Sequence, residues 1–202
     1  MEKEEIGKII EKQREFYVSG KTFDVGYRLE TLKKLRSLII SHEQEIVDAL
    51  WKDFHKPEFE VIASESRFVL NELNYIARKL KSWARSRSVR TPIVHFLSHS
   101  YVVPQPYGQV LVLSPWNFPF QLAFVPLVGA LAAGNCVILK TSSQVPAVNI
   151  VMKKILGHFP NELVAMINGD HSVSEYLLDQ KFDYIFFTGS TRIGKYVMKK
   201  AS

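Results

Sequence analysis

The sequence has 202 residues, 47% of them hydrophobic and 23% charged, which is the composition of a globular protein with one core and a helical annex. Its formal net charge of +6 is scattered and often lies beside acids. It lacks the dense run of Lys and Arg interleaved with aromatics that nucleic-acid binding needs, so no nucleic-acid partner is predicted. The only cysteine is Cys136, which excludes an internal disulfide and predicts a reducing, cytoplasmic compartment.

Residues 1–99 are predicted to form a layer of amphipathic helices that packs on a sheet. Apolar residues recur at steps of three and four in residues 2–18, 27–40 and 57–83, which is typical of helices with one buried face. A capping-box pattern at residues 41–44 (SHEQ) predicts the start of a further helix. The histidines are unclustered and no residues here have catalytic spacing, so no metal site is predicted.

The second half of the chain is predicted to be an α/β fold with a doubly wound, mostly parallel, Rossmann-like sheet. Residues 100–109 form an extended segment that contains a turn, and residues 110–202 alternate short apolar runs with helical patterns. The four predicted strands are residues 110–113, 136–139, 163–167 and 184–187.

The stretch from Val110 to Leu139 contains no charged residue and invites a membrane reading. Pro119, Pro126 and Gly134 interrupt it, however, and it divides into a strand, a turn, a helix and a second strand. We therefore predict one buried βαβ unit and no membrane span in this chain.

Polar residues and glycines follow each of the four predicted strands. In parallel sheets of this kind, ligands bind outside the carboxyl ends of the strands. The last of these polar segments leads into a helix N-terminus at Ser190, where free N–H groups and the helix dipole favour a phosphate. The pattern therefore predicts nucleotide binding.

Two common nucleotide motifs are incomplete in this sequence. Residues 189–195 match the Walker A spacing up to Lys195, but Tyr196 stands where Ser or Thr must hold Mg²⁺. The G-x-G-x-x-G fingerprint is also missing, because Thr191 stands where the middle glycine belongs. From the residues alone, the nucleotide stays unspecified.

Three motifs occur in an order that is typical of a known family. PWNFP (115–119), LAAGNCVILK (131–140) and FTGSTRIGK (187–195) together resemble the aldehyde dehydrogenase superfamily. The segments at 19–39 and 104–120 resemble its class 3 branch, which acts on fatty and aromatic aldehydes. The resemblance implies NAD or NADP as cofactor, an aldehyde substrate, and a cofactor fold that departs from the usual Rossmann pattern.

The resemblance implies a catalytic role for Asn117, whose side-chain amide would stabilise the oxyanion formed when a thiolate attacks the aldehyde. Without the resemblance, Asn117 reads as the N-cap of the following helix. The alternative reading of Trp116 is a core aromatic, and that of Lys140 is a lysine that reaches solvent from a strand end. The cofactor-binding residues that the resemblance implies are Ser114, Pro115, Trp116, Lys140, Ser143, Gly169, Gly189, Ser190 and Gly194.

One position departs from the family pattern. Where the family usually has Lys-Pro-Ser-Glu, with Glu on the ribose hydroxyls, this chain has Lys140-Thr141-Ser142-Ser143. A carboxylate would repel a 2′-phosphate and a serine would not. We therefore expect NADP⁺ to be accepted at least as well as NAD⁺.

The family's chemistry requires a nucleophilic cysteine and a general-base glutamate downstream of the third motif. Cys136 matches a structural position within the second strand, so the chain is expected to be the N-terminal half of such an enzyme, without its catalytic domain and inactive alone. Two alternatives stay open: a nucleotide-binding or interaction module without catalysis, and part of an acyl-CoA or acyl-ester reductase of the same fold. The resemblance also implies a homodimer or homotetramer, joined in part by a hairpin that includes residues 100–107.

Overall fold

The computed structural model of the chain describes residues 2–202. Its first part is helical, as the apolar periodicity predicts. The helices are α1 (Lys3–Val18), α2 (Val25–Ser41), α3 (Glu43–Phe54), α4 (Glu58–Val61) and α5 (Arg67–Trp83), with a short 3₁₀ turn at Lys21–Phe23 and a π-helical segment at Ile62–Ser66 that joins α4 to α5.

Two details of this helical part differ from the sequence-based expectation. The predicted capping box at residues 41–44 is wrong. Ser41 is the last residue of α2, and its hydroxyl donates a hydrogen bond to the carbonyl of Leu38. Helix α3 begins after His42 and has no side-chain cap. The predicted long helix after Pro57 is real, but the π-helical segment interrupts it. A π-helical segment of one turn is too short for the apolar periodicity of the sequence to reveal.

An antiparallel hairpin separates the helices from the main sheet. Its strands are β1 (Arg87–Val89) and β2 (Ser100–Val102), which pair with each other. The connection between them exposes four large apolar side chains, namely Ile93, Val94, Phe96 and Leu97.

The second half alternates strands and helices: β3 (Gln109–Leu113), α6 (Pro119–Ala133), β4 (Cys136–Lys140), α7 (Pro146–Leu156), β5 (Val164–Ile167), α8 (His171–Leu178), β6 (Tyr184–Phe187) and α9 (Thr191–Ala201). The four strands pair in parallel in the order β5-β4-β3-β6. The α/β prediction with a parallel, doubly wound sheet is therefore confirmed.

Helices cover both faces of this sheet. Along β3, Val110 and Val112 face a core shared with α2, α3, α5, α6 and α7, whereas Leu111 and Leu113 face a second core shared with α1, α8 and α9. This alternation follows from the two-residue period of a strand. Gln13 fixes α1 to the sheet, because its buried amide donates to the carbonyls of Val137 and Asn161.

Helix α6 is the uncharged helix that invites a membrane reading, and its apolar residues pack against the sheet and the helical layer. It ends at Gly134, whose φ of 92° is a left-handed conformation that favours glycine. Within residues 2–202, no helix combines the length and the apolar character needed to cross a bilayer.

Candidate functional site

The carboxyl ends of the four parallel strands lie at one edge of the sheet. The pairing register sets Leu113 of β3 opposite both Lys140 and Phe187, and sets Lys140 opposite Ile167. The polar segments that follow the strands are therefore brought together, as expected for a parallel sheet. They surround a cleft of about 410 Å³, called the rim cleft below.

Most of the predicted cofactor residues line the rim cleft. Gly194 lies instead in the first half of α9, where an added Cβ would make an ordinary van der Waals contact with the ring of Phe187. Asn117 lies in a neighbouring pocket described below. The predicted residues that do line the rim cleft are Ser114, Pro115, Trp116, Lys140, Ser143, Gly169, Gly189 and Ser190.

Strands β3 and β4 bring two buried polar side chains to this cleft. Ser114 donates its backbone N–H to the carbonyl of Lys140 over 3.0 Å, and its buried hydroxyl has no hydrogen-bond partner among residues 2–202. Such an unpartnered hydroxyl is costly unless a ligand or water satisfies it. The hydroxyl therefore has hydrogen-bonding capacity that no other residue of the described chain uses.

Lys140 is 6% exposed, and its Nζ donates to the carbonyl of Thr141 over 2.8 Å. Burial lowers the pKa of Lys140, while the charge of Asp170 opposes that shift. The ammonium does not reach freely into solvent, so the alternative reading of a lysine that extends from a strand end is wrong. One bond to a carbonyl leaves further donor capacity for a ligand.

Ser143 is exposed at the cleft, in the loop between β4 and α7. The loop is fixed by Asn149, whose amide donates to the carbonyl of Ser142 over 2.8 Å. Asp170 is one of two acids that line the cleft, the other being Glu175, and its carboxylate accepts from the N–H and the hydroxyl of Ser172. These two bonds lower the pKa of Asp170 and cap α8.

The last strand leads into the N-terminus of α9 through Gly189 and Ser190. A Cβ at Gly189 would clash with the ring of Phe187, so only glycine fits this position without a shift. The Ser190 hydroxyl accepts from the N–H of Ile193 over 3.4 Å, and the first turn of α9 contains no acid. This helix end can therefore hold an anion. Lys195 does not line the cleft, which argues against the Walker A alternative.

A second pocket of about 300 Å³, called the Asn117 pocket below, adjoins the rim cleft, and Trp116 lines both. The indole of Trp116 is 53% exposed and stacks on Phe54 at a ring-centroid distance of 6.4 Å, so its reading as a core aromatic is wrong. Asn117 is exposed on the wall of the pocket. The N-cap of α6 is Phe118, with φ of 48° and no side-chain cap bond, so Asn117 is not the cap.

Sequence reasoning missed two groups of residues around these cavities. In the rim cleft, Glu175 and Tyr196 share a hydrogen bond between α8 and α9, and nothing in the local sequence marks them. In the Asn117 pocket, Lys56 and Glu65 come from the helical part in which no catalytic spacing was found. Only long-range contacts bring them to the site.

Cys136 is fully buried within β4, and burial raises the pKa of its thiol to about 12. It lines neither the rim cleft nor the Asn117 pocket. Its environment is that of a structural cysteine rather than of a nucleophile. Within residues 2–202, no group of three or more His, Cys, Asp or Glu side chains is placed to hold a metal ion.

Comparison with known proteins identifies the family. The aldehyde dehydrogenase family model matches residues 1–202. The chain belongs to the aldehyde dehydrogenase family.

Relatives within this family agree with the class 3 resemblance. The 4,4'-diaponeurosporen-aldehyde dehydrogenase of Staphylococcus aureus is 39% identical over 93% of this chain, and aldehyde dehydrogenase family 3 member B1 of Bos taurus is 38% identical over 96% of it. The chain spans only 41% and 42% of these two relatives.

Solved structures of aldehyde dehydrogenases have the same fold. A substrate-bound Staphylococcus aureus AldH superimposes with a TM-score of 0.94 and 38% identity, covering 97% of this chain and 43% of that one. The glyceraldehyde-3-phosphate dehydrogenase GapN of Methanocaldococcus jannaschii superimposes with a TM-score of 0.84 at 21% identity, covering all of this chain and 45% of that one. The latter shows likeness of fold alone.

Proposed function

We propose that this chain is the cofactor-binding part of an NAD(P)-dependent aldehyde dehydrogenase that oxidises aldehydes to carboxylic acids. The observation that carries the proposal is the junction at Trp116, where the rim cleft meets the Asn117 pocket. One cavity suits a dinucleotide and the other a reacting aldehyde, and the family supplies the reaction class. Membership of the family also supports NAD or NADP as the cofactor.

The residues of the rim cleft fit a dinucleotide. Its volume of about 410 Å³ lies within the range of roughly 300–1,000 Å³ typical of small-molecule sites. The N-terminus of α9, with Gly189 and Ser190, would hold the pyrophosphate through backbone N–H groups. Lys140 would donate to the adenosine ribose, and the unpartnered hydroxyl of Ser114 would bond to the bound group.

Within this proposal Asn117 is the catalytic residue of the chain. The nicotinamide ring supplies the hydride acceptor when the cofactor is bound. Asn117 donates its amide N–H to the oxygen that becomes negative when the thiolate adds to the aldehyde, a contribution of about 3–4 kcal/mol to the transition state. Cys136 does not supply that thiolate, because it is buried and protonated. The nucleophile and the general base would come from residues outside these 202.

Cofactor binding by the 202-residue chain tests this proposal without requiring turnover. Calorimetric titration with NAD⁺ and with NADP⁺ is expected to give saturable binding at one site. Lys140→Met is expected to weaken both cofactors, whereas Glu45→Gln, which removes an exposed ion pair with Lys154, is the control and should bind as the parent chain does. Absence of binding for both dinucleotides by a folded chain would overturn the assignment of the cleft.

Selectivity between the two cofactors depends in this proposal on Ser143. NADP⁺ is expected to bind at least as well as NAD⁺, because no carboxylate stands where the family usually has one. Ser143→Glu should weaken NADP⁺ by about tenfold or more, through repulsion of the 2′-phosphate, and affect NAD⁺ less. Ser143→Gln matches the size without the charge and should not discriminate. A strong preference of the parent chain for NAD⁺ would refute this part.

Two further inferences concern assembly and location. The exposed apolar connection of the β1–β2 hairpin supports a homodimer or homotetramer. Sedimentation of the complete enzyme that carries this segment tests it, because Phe96→Asp with Leu97→Asp should shift the enzyme toward monomer, and an unchanged assembly would contradict it.

The single cysteine supports a reducing, cytoplasmic compartment, which fractionation of the source cells would check.

A further inference from the structure

Glu65 is the only acid among the buried polar residues of the described chain, residues 2–202, and its side chain is fully inaccessible. It lies in the π-helical segment Ile62–Ser66, and such segments often occur at functional sites. One carboxylate oxygen accepts from the N–H of Gln121 over 2.8 Å, and the other accepts from the Nζ of Lys56 over 2.9 Å.

These bonds place the carboxylate at the N-terminus of α6. A helix N-terminus leaves backbone N–H groups without intrahelical partners, and a neighbouring side chain usually satisfies one of them. In α6 the N-cap is Phe118, which has no side-chain cap, and Pro119 follows it. Glu65 therefore supplies from another helix the cap that the local sequence lacks, and its negative charge suits the positive end of the helix dipole.

The backbone around this pocket is strained on both sides. Within residues 2–202, the non-glycine residues with positive φ are His55, at 54°, and Phe118, at 48°, and both line the Asn117 pocket. Non-glycine residues in this region persist only where surrounding contacts enforce them, and they concentrate at active sites. Each strained residue directly adjoins a residue of interest, because His55 precedes Lys56 and Phe118 follows Asn117.

Lys56 links the two strained segments. Its Nζ lies 2.9 Å from Glu65 and 4.0 Å from the centroid of the Phe118 ring, a cation–π contact with the residue that turns the chain after Asn117. Lys56 and Glu65 thus hold both the backbone amide of Gln121, after the turn, and the aromatic ring of Phe118, within it. The side chain of Asn117 itself makes no cap bond that would fix the turn from inside.

We propose that Glu65 and Lys56 are a positioning pair for catalysis, which fixes the turn of residues 117–119 so that the Asn117 amide stays at the wall of its pocket. In this proposal the pair acts through the position of Asn117 rather than on the reacting atoms. The inference rests on the proposed role of Asn117 as oxyanion donor.

The kinetic test uses the complete enzyme that carries this segment. Glu65→Gln keeps the side-chain size but loses the charge, and it presents an N–H₂ group toward donors. We expect kcat to fall about 10- to 100-fold, as for other small displacements of a catalytic group, with KM for the cofactor within about twofold. Lys56→Met should lower kcat in the same way, and Lys56→Arg should restore most of it.

Asp53 offers a matched control. Its carboxylate accepts from the N–H groups of Ala147 and Val148 at the start of α7, another helix without a local side-chain cap. Asp53→Asn removes a cap of the same kind from a helix that carries no catalytic residue, so kcat should stay within about twofold. If Glu65→Gln lowers kcat no more than Asp53→Asn does, the pair has a structural role only and the proposal fails.

A double-mutant cycle separates positioning from an independent effect. Because Glu65 acts through Asn117, Glu65→Gln should cause no further loss of kcat in an Asn117→Ala background. Losses that multiply would overturn the proposal. If Asn117→Ala alone leaves kcat unchanged, Asn117 is not the oxyanion donor. That result would contradict the proposed function itself and is distinguishable from a failure of the positioning role alone.

An activity-independent measurement completes the test on the 202-residue chain. Hydrogen exchange followed by mass spectrometry should show faster exchange of the amides in residues 117–124 for Glu65→Gln and Lys56→Met than for the parent chain and Asp53→Asn. Equal exchange in all four proteins would refute the positioning role whatever the fate of the chemistry.

Discussion

The rim cleft and the Asn117 pocket share the indole of Trp116, but different parts of the chain support them. The rim cleft is built from strand ends and from helices whose caps are close in sequence, since Asp170 caps α8 and Ser190 caps α9. The Asn117 pocket depends on Glu65, which bonds to an amide 56 positions further along the chain. The helices at one cavity are capped by residues next to them in sequence, and the helix at the other is capped by a tertiary contact.

This difference separates the two functions that the cavities are proposed to serve. A cofactor site built from successive strand ends forms wherever the parallel sheet forms, because the register alone brings its residues together. The amide of Asn117, proposed to be catalytic, requires in addition that the helical layer dock correctly on α6. Damage to the helical layer should therefore impair chemistry before it impairs cofactor binding.

The largest expected effect separates the two cavities directly. Asn117→Ala should lower kcat of the complete enzyme by about 10²–10³-fold while the dissociation constant for NAD(P) changes little, because only the oxyanion loses a donor. Lys140→Met should show the reverse, with weaker cofactor binding and kcat largely kept at saturating cofactor. Steady-state kinetics and calorimetry on both variants give the comparison, and a shared defect in both measurements would break it.

A smaller effect concerns the pH dependence of stability, because the pKa values of the helix-capping carboxylates Glu65 and Asp170 shift in opposite directions. Burial raises the pKa of Glu65 above 4.5, so its contribution to stability is complete below that value and is lost as pH rises through the folded-state pKa. The bonds from Ser172 lower the pKa of Asp170 below 3.8, so its contribution is present above that value and is lost as pH falls through the folded-state pKa.

Urea unfolding of the 202-residue chain between about pH 3 and 7 measures this contrast. On acidification, the stability difference between the parent chain and Glu65→Gln should grow, and the difference between the parent chain and Asp170→Asn should shrink. Asp53→Asn serves as a third cap variant for comparison. Differences that move in the same direction for Glu65 and Asp170 would contradict the assignment.

The smallest expected effect is the absence of a reaction at Cys136. With a thiol pKa of about 12 and a fully buried side chain, Cys136 should resist iodoacetamide in the native chain at about pH 8. It should react fully once the chain is unfolded in guanidinium, which provides the control. Rapid labelling of the native chain, followed by mass spectrometry, would reopen the question of a nucleophile inside the sheet.

Much of the fold was predictable because its signals are local. A parallel sheet is indicated by three features that need no reference to distant residues. They are the uncharged run after Gln109, the glycine that ends α6 at Gly134, and the alternation of strands with helices. The rim cleft follows from the same pattern, since parallel strands must end at one edge. Periodicity does not point to a role for Asn117, and the proposed role comes from the family resemblance alone.

The missed features are those that depend on contacts distant in sequence. Glu65 reads as one more polar residue of an amphipathic helix, and only the π-helical segment and the docking of α6 make it a buried cap. The capping-box prediction at residues 41–44 fails for a related reason. Ser41 is the last residue of α2, and its hydroxyl bonds to the carbonyl of Leu38 instead of capping α3. Local rules compete at such junctions, and tertiary packing decides between them.

The way Gln13 anchors α1 also determines the order in which the molecule can be assembled. Its two carbonyl partners lie 124 and 148 residues further along the chain. During translation at about 5–20 residues per second, α1 must therefore wait roughly 7–30 s before the surface that receives it exists. Until then the apolar face of α1 lacks its partners on the sheet, so the first helix of these 202 residues is also one of the last to be buried.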